Sequence, residues 1–339
     1  MKILIRATNW IGDAVISLPA IRAVRQCYPR AELCILARPW VAAVYEGEPC
    51  INRILLLHGK AGAGDFGAKW RCAQELRRER FDLAIALPNS FESALLLWLA
   101  GIPGRVGYAG DGRSLLLTRA VPRPEPGSIA RHERYYYLEL LRRAGIIQEV
   151  PQVPDIRLEG ADTARARGEM LLAARGIRLP VIGVSPGAAY GGAKRWLPER
   201  FAAAARMVAE KTGASVLILG SDAERDLCGE VAAGCGGVNL AGSTTLREFI
   251  DMTAACLGYL SNDSGAMHIA AALGIPSVAV FGPTDETATG PVGPTARLAR
   301  VAVECAPCLK RECPIDHRCM TRVSAEKVAA TALQLISTR

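Results

Sequence analysis

One stretch of this 339-residue chain puts an acid, a hydroxyl, a glycine and a histidine close together: Asp263, Ser264, Gly265 and His268 in "SNDSGAMH". A helix start leaves backbone N–H groups free and carries the positive end of the helix dipole. A glycine there lets a ligand approach the backbone closely. Such a turn suits a phosphate or diphosphate, with His268 one turn inward on the same helix. The same residues also suit a helix capped by Asp263 or Ser264 over a core histidine. The stretch alone leaves both readings open.

Three further turns carry reactive side chains. "SPGAAYGGAKRWLPERF" (Ser185 to Phe201) is rich in glycine and alanine and delivers Lys194 just before a helix. It reads either as an oxyanion clamp for a diphosphate leaving group or as a solvated lysine on a flexible loop. Trp196 and Pro198 look like packing and helix-start residues. Glu224 in "GSDAERD" is placed to hold ribose hydroxyls, although an acid is also simply favourable at a helix start. Asp13 follows Gly12 in "TNWIGDAVISLPAIRAV". It is either an N-cap or a carboxylate that takes a proton from a hydroxyl. A fifth candidate is "CAPCLKRECPIDHRC", in which Cys305, Cys308, Cys313 and Cys319 space as C-x2-C-x4-C-x5-C. Four thiols at that spacing suit a structural zinc ion, and equally a set of reduced cysteines. The cluster lies well after the "SNDSG" turn, and no catalytic role is expected of it.

Each of these turns except the cysteine cluster follows an apolar run that reads as a strand. "KILIRAT", "AELCILA", "NRILLL" and "FDLAIALP" alternate with helical stretches in the first half. "PVIGVSPG", "ASVLILG", "CLGYLS" and "PSVAVFG" do so in the second. Near-continuous apolar strands alternating with helices predict parallel sheets covered on both faces. Pro151 and Pro154 mark a linker, and the expected domains are residues 1–155 and 156–339. The fold class is therefore α/β: two Rossmann-like domains with parallel sheets facing across a cleft, with ligands outside the carboxyl ends of the strands. "GAGDFG" (Gly62 to Gly67) matches a dinucleotide fingerprint but follows a later strand, so it reads as a flexible loop. That argues against a nicotinamide or flavin cofactor.

Composition narrows the classes. Half the residues are hydrophobic and 22% are charged, as in packed globular proteins. No apolar run reaches the ~18 residues of a membrane span. The N-terminal stretch lacks the long apolar core of a signal peptide, so a cytoplasmic protein is expected. Net charge is +8, and residues 1–150 carry +7 of it. The first half therefore suits an anionic partner or carries a solvated basic face. Aromatics are only 6% and no basic-aromatic motif is present, which argues against nucleic acid.

"NWIGDAVISLPA", "LPNSFESALLLWLAGIPGRVGY", "SPGAAYGGAKRWL", "GSDAERD" and "SNDSGAMHIAAALGIPSVAVFGPT" resemble the bacterial heptosyltransferases of glycosyltransferase family 9. The resemblance runs over essentially the whole chain. It implies a GT-B fold, with the acceptor on the N-terminal domain and ADP-heptose on the C-terminal one. It also implies metal-independent, inverting transfer to an inner-core sugar of lipopolysaccharide, with no cofactor required. Asp13 is then the general base, and Lys194 contacts the diphosphate and sugar. Glu224 contacts the adenosine ribose. Asp263, Ser264, Gly265 and His268 form the donor loop, and Gly12, Ala189, Tyr190 and Thr244 join the donor contacts. Ser264 stands where some relatives carry threonine. The basic first half becomes the surface for a phosphorylated Kdo-lipid A at the inner membrane, with Arg113, Arg119, Arg131 and Arg134 expected to face it. The rival readings are another heptosyltransferase of the family or a sugar-nucleotide epimerase of the same fold.

Overall fold

A computed structural model describes residues 1–59, 66–153 and 155–338. Most of the "GAGDFG" loop lies outside the described residues. The chain divides into two compact units, Met1–Val153 and Pro154–Arg339.

The first unit holds six strands: β1 (Lys2–Arg6), β2 (Glu32–Ala37), β3 (Arg53–Leu56), β4 (Leu83–Ala86), β5 (Gly104–Tyr108) and β6 (Arg119–Val121). They form a parallel sheet in the order β3-β2-β1-β4-β5-β6. The second unit repeats this plan with β7 (Val181–Ser185), β8 (Ser215–Ile218), β9 (Val238–Asn239), β10 (Gly258–Asn262), β11 (Ser277–Val280) and β12 (Ala296–Ala299). Their order is β12-β11-β10-β7-β8-β9, again parallel. Parallel neighbours need crossovers, and the helices that supply them cover both faces. That is why Ile3, Leu4 and Ile5 on β1 are all buried, as is every residue of β7. Each sheet reverses its winding beside its first strand, between β1 and β4 and between β7 and β10. Loops leave such a point in opposite directions and open a crevice at the carboxyl edge.

Trp196 anchors the second core. It is buried and lies edge-on to Phe201 at 4.9 Å. Its indole N–H donates to the Val323 carbonyl at 3.1 Å. Pro198 occupies the first turn of the Pro198–Thr212 helix, where its missing N–H costs nothing.

The Ala161–Ala174 and Leu246–Ala254 helices of this unit pack closely. Gly168 permits the approach, since a Cβ there would lie 2.0 Å from the Asp251 carbonyl oxygen. The buried Asp251 carboxylate accepts two bonds from Arg167, both 2.9 Å, and pairs with Arg247 at 3.0 Å. Gly168→Ala is therefore expected to destabilise the protein by about 1–3 kcal/mol, the usual range for overpacking. Gly229→Ala, in the Arg225–Cys235 helix with its nearest neighbour at 3.6 Å, is expected to be neutral or slightly stabilising. Thermal unfolding of the two variants checks the contrast.

Candidate active site

In the second unit the loop after β7 and the turn after β10 meet at the point where the winding reverses. Asn262, the last residue of β10, is buried and holds both feet of the β7 loop. Its Nδ2 donates to the Pro186 carbonyl at 2.6 Å, and its Oδ1 accepts the Trp196 N–H at 3.0 Å. Between those feet the chain carries Lys194. Lys194 Nζ donates to Asp263 Oδ2 at 2.6 Å, with the side chains 13% and 5% exposed. Thr284 Oγ1, from the turn after β11, donates to the same oxygen at 2.5 Å. The Asp263 N–H donates to the Val280 carbonyl at 3.2 Å. Asp263 therefore gathers three strand ends around one carboxylate.

Capping does not explain the "SNDSG" turn. Ser264 is the residue before the Gly265–Ala272 helix, in extended conformation, and makes no side-chain cap bond. Asp263 is committed to Lys194 and Thr284. The helix start is thus left uncapped by any side chain, with Ser264 and Gly265 half-buried beside it. That is the condition an anion needs. His268 is buried one turn further in.

Glu224 serves two elements. Its Oε2 accepts from the Ser221 N–H at 2.9 Å and the Ser221 hydroxyl at 2.7 Å, forming a capping box after β8. Its other oxygen, Oε1, lies against Gly187, where a Cβ would sit 1.9 Å away. The carboxylate therefore stands at the start of the Lys194 loop. Tyr190, half-buried in that loop, lies with its ring 5.0 Å from Lys194 Nζ; Ala189 beside it is exposed. Thr244 precedes the Thr245–Glu248 capping box that opens the helix after β9. Lys194, Tyr190, Glu224 and Asp263 thus share one edge of one sheet.

In the first unit, Asp13 is the third residue of the Ile11–Cys27 helix, after Gly12; the cap position belongs to Trp10 and has no side-chain bond. The N-cap reading of Asp13 is therefore removed. The Glu133–Arg143 helix packs on this one, and Glu133 opens it. Burial, and then the nearby Asp13 charge, hold the Glu133 carboxyl above its usual range. Burial foremost, with Asp13 and Glu133 adding to it, raises the Tyr137 hydroxyl well above its ordinary value. Two carboxylates thus share a partly dry corner. Sequence reasoning missed Glu133, whose one signal is an acid straight after the helix-starting His132.

The arginines expected at the acceptor surface scatter. Arg113 is fully buried and donates to the Pro88 carbonyl at 2.5 Å. It braces the turn after β4 and is not a surface contact. Arg119 is exposed but bonds the Ala144 carbonyl. Arg131 is exposed, and Arg134 lies over the Tyr135 ring at 4.8 Å. Two cations the sequence did not single out are buried at the carboxyl edge of this sheet. Arg6 bonds Asn9 Oδ1 at 2.7 Å, and Arg38 pairs with Glu92 at 2.8 Å. Burial first, and then Arg38, lower the Arg6 guanidinium to about 10.

Burial first, and then the Cys305, Cys313 and Cys308 thiols, push the Cys319 thiol up. Among the described residues, however, no group of three or more His, Cys, Asp or Glu side chains is placed to hold a metal ion.

Residues 69–318 match the family model described as glycosyltransferase family 9 (heptosyltransferase). Lipopolysaccharide heptosyltransferase 2 of Escherichia coli is 32% identical over 314 residues, covering 89% of this chain and 88% of that protein. Lipooligosaccharide heptosyltransferase 2 of Haemophilus influenzae is 32% identical over 316 residues, covering 89% of each. The solved E. coli ADP-heptose LPS heptosyltransferase II aligns with a TM-score of 0.81 at 27% identity, over 100% of this chain and 99% of that one. The expected α/β class with Rossmann-like units of GT-B type holds. The chain belongs to glycosyltransferase family 9, the heptosyltransferases.

Proposed function

We propose that this chain transfers a heptose from ADP-heptose to the first heptose of the lipopolysaccharide inner core. The observation that carries the reading is the Lys194–Asp263 pair beside an uncapped helix start, in a chain 32% identical to a heptosyltransferase 2. An acceptor hydroxyl attacks the donor's anomeric carbon, the new C–O bond forms on the opposite face, and the bond to ADP breaks with its electron pair on phosphate. The anomeric configuration inverts. Asp13 takes the hydroxyl proton. Lys194 and the Gly265–Ala272 helix start receive the charge that builds on ADP. Asp263 holds heptose hydroxyls, and Glu224 offers its Gly187-facing oxygen to the ribose.

The first unit is the acceptor side in this reading, and its +7 charge suits a phosphorylated Kdo-lipid A. Trp10, Trp40, Phe91 and Leu115 are all exposed, and all follow strand ends at one edge of the first sheet. Such a rim supports peripheral residence at the inner-membrane surface. Among the described residues no helix is long and apolar enough to cross a membrane.

Asp13→Asn is expected to cut kcat by about 10²–10⁴-fold while donor affinity stays near wild type. The fold should survive, because asparagine keeps the size of Asp13 and the cap position belongs to Trp10; the loss of a first-turn charge costs about 0.3–1 kcal/mol. Near-normal kcat would remove Asp13 from the mechanism.

Lys194→Ala is expected to raise the barrier to transfer by about 2–4 kcal/mol and to lower the melting temperature, since it strands the buried Asp263. Full activity at an unchanged melting temperature would sink both roles. Kinetics and thermal unfolding on one preparation separate them.

No step passes through a metal in this scheme, so transfer is expected to run equally with and without added Mg²⁺ or Mn²⁺. A zinc ion on the Cys305–Cys319 cluster would be structural, at about one per chain. Elemental analysis of protein purified without metal-affinity chromatography reads its presence directly.

A further inference from the structure

The cysteine-rich segment does more than fold on itself: its main chain clasps the Lys194 loop. The Tyr190 hydroxyl donates to the Leu309 carbonyl at 2.8 Å, and the Leu309 N–H donates to the Pro283 carbonyl at 2.8 Å. The Ala193 N–H donates to the Arg311 carbonyl at 2.9 Å, and the Gly192 N–H to Glu312 Oε1 at 2.9 Å. His317 Nε2 lies 2.8 Å from the Ala193 carbonyl. Gly191 is what allows the contact: its φ is 157°, and a Cβ there would lie 2.3 Å from the Arg311 carbonyl oxygen.

This clasp delivers a cation. The Arg311 guanidinium carbon lies 5.3 Å from the Tyr190 ring centre, and Lys194 Nζ lies 5.0 Å from the same centre. One aromatic ring therefore carries two cations, an arrangement its quadrupole favours. The two differ in their partners. Lys194 is already paired with Asp263 at 2.6 Å. Arg311 is exposed and makes no ion pair among the described residues.

We propose that Arg311 is a second cation for the diphosphate of the donor, held at the same Tyr190 ring as Lys194 by the segment that contains it. The inference rests on the donor reading of the Lys194 loop given above. A departing nucleoside diphosphate gains negative charge, and a lysine facing an aspartate answers only part of it. Arginine suits the rest, because its planar fork meets phosphate oxygens in pairs. Leu309, Glu312 and His317 are then positioning residues, which act through the loop and not on the substrate.

Calorimetric titration of ADP and of adenosine into wild type, Arg311→Gln, Arg311→Lys and Lys194→Ala tests this. Arg311→Gln is expected to weaken ADP about tenfold, the size of one charge-assisted bond, and to leave adenosine affinity and melting temperature unchanged. Arg311→Lys should recover part of the ADP affinity, and kcat/KM for ADP-heptose should follow the same order. Wild-type ADP affinity in Arg311→Gln, with Lys194→Ala impaired, would overturn the role of Arg311 while leaving the donor site standing. Equal loss of ADP and adenosine would also overturn it, because the residue would then only support the loop. A wild-type protein that binds ADP no better than adenosine would overturn the donor reading and this inference together.

Discussion

The ion pair between Lys194 and Asp263 is the contact on which the second unit's functional edge depends. Its two members come from loops that leave adjacent parallel strands at the point where the winding reverses. A carboxylate as buried as Asp263 is costly to hold unless a cation and hydrogen bonds answer it. Lys194 and Thr284 answer it from two other loops. Burial therefore fixes the register of three loops whose glycines would otherwise leave them many conformations. The pair also has the right signs for a sugar nucleotide, with a cation for phosphate and an acceptor for hydroxyls. In the proposed reaction, stability and function draw on the same two side chains.

The first unit repeats the strand order but not the chemistry. Its carboxyl edge has Asp13 and Glu133 in the opening turns of two packed helices, and buried Arg6 and Arg38 further along. Burial first, and then the Asp13 charge, make the Glu133 carboxyl bind protons more readily than a free one. One sheet plan, used twice, thus presents a paired lysine and aspartate beside an uncapped helix start in one unit and neighbouring carboxylates in the other. The difference lies in loop residues, while the strands that carry them are interchangeable in pattern.

What could be read from the sequence follows from burial. The strands β1, β2, β3, β4, β7, β8, β10 and β11 are short apolar runs bounded by turns and alternating with helical stretches, and that pattern finds them. "GRVGY" of the inner strand β5 and the edge strands β6, β9 and β12 escape the pattern, because glycines, charges or brevity hide them. Asp13, Lys194, Glu224 and Asp263 were legible because an acid or lysine at a strand-to-helix turn is a local signal. Asn262 was not, although it pins both feet of the Lys194 loop, because its partners lie 66 and 76 residues away in sequence. Arg113 misled for a related reason. A basic residue in a basic half reads as surface, whereas its carbonyl partners at Pro88 and Ser90 let it be buried. The cysteine segment shows the limit most clearly. Its spacing suited zinc and reduced cysteines equally, while its contact with the Lys194 loop is made by main-chain groups and by Arg311, Glu312 and His317 side chains that no motif marks.

Product mass reads the proposed group transfer from ADP-heptose to an inner-core acceptor directly. Purified protein incubated with ADP-heptose and a panel of truncated core acceptors should add one heptose to heptosyl-Kdo-lipid A and release ADP in equal amount. Without acceptor the donor should remain intact. Addition to no core acceptor, or conversion of the donor in the absence of any acceptor, would rule out heptosyl transfer as the reaction.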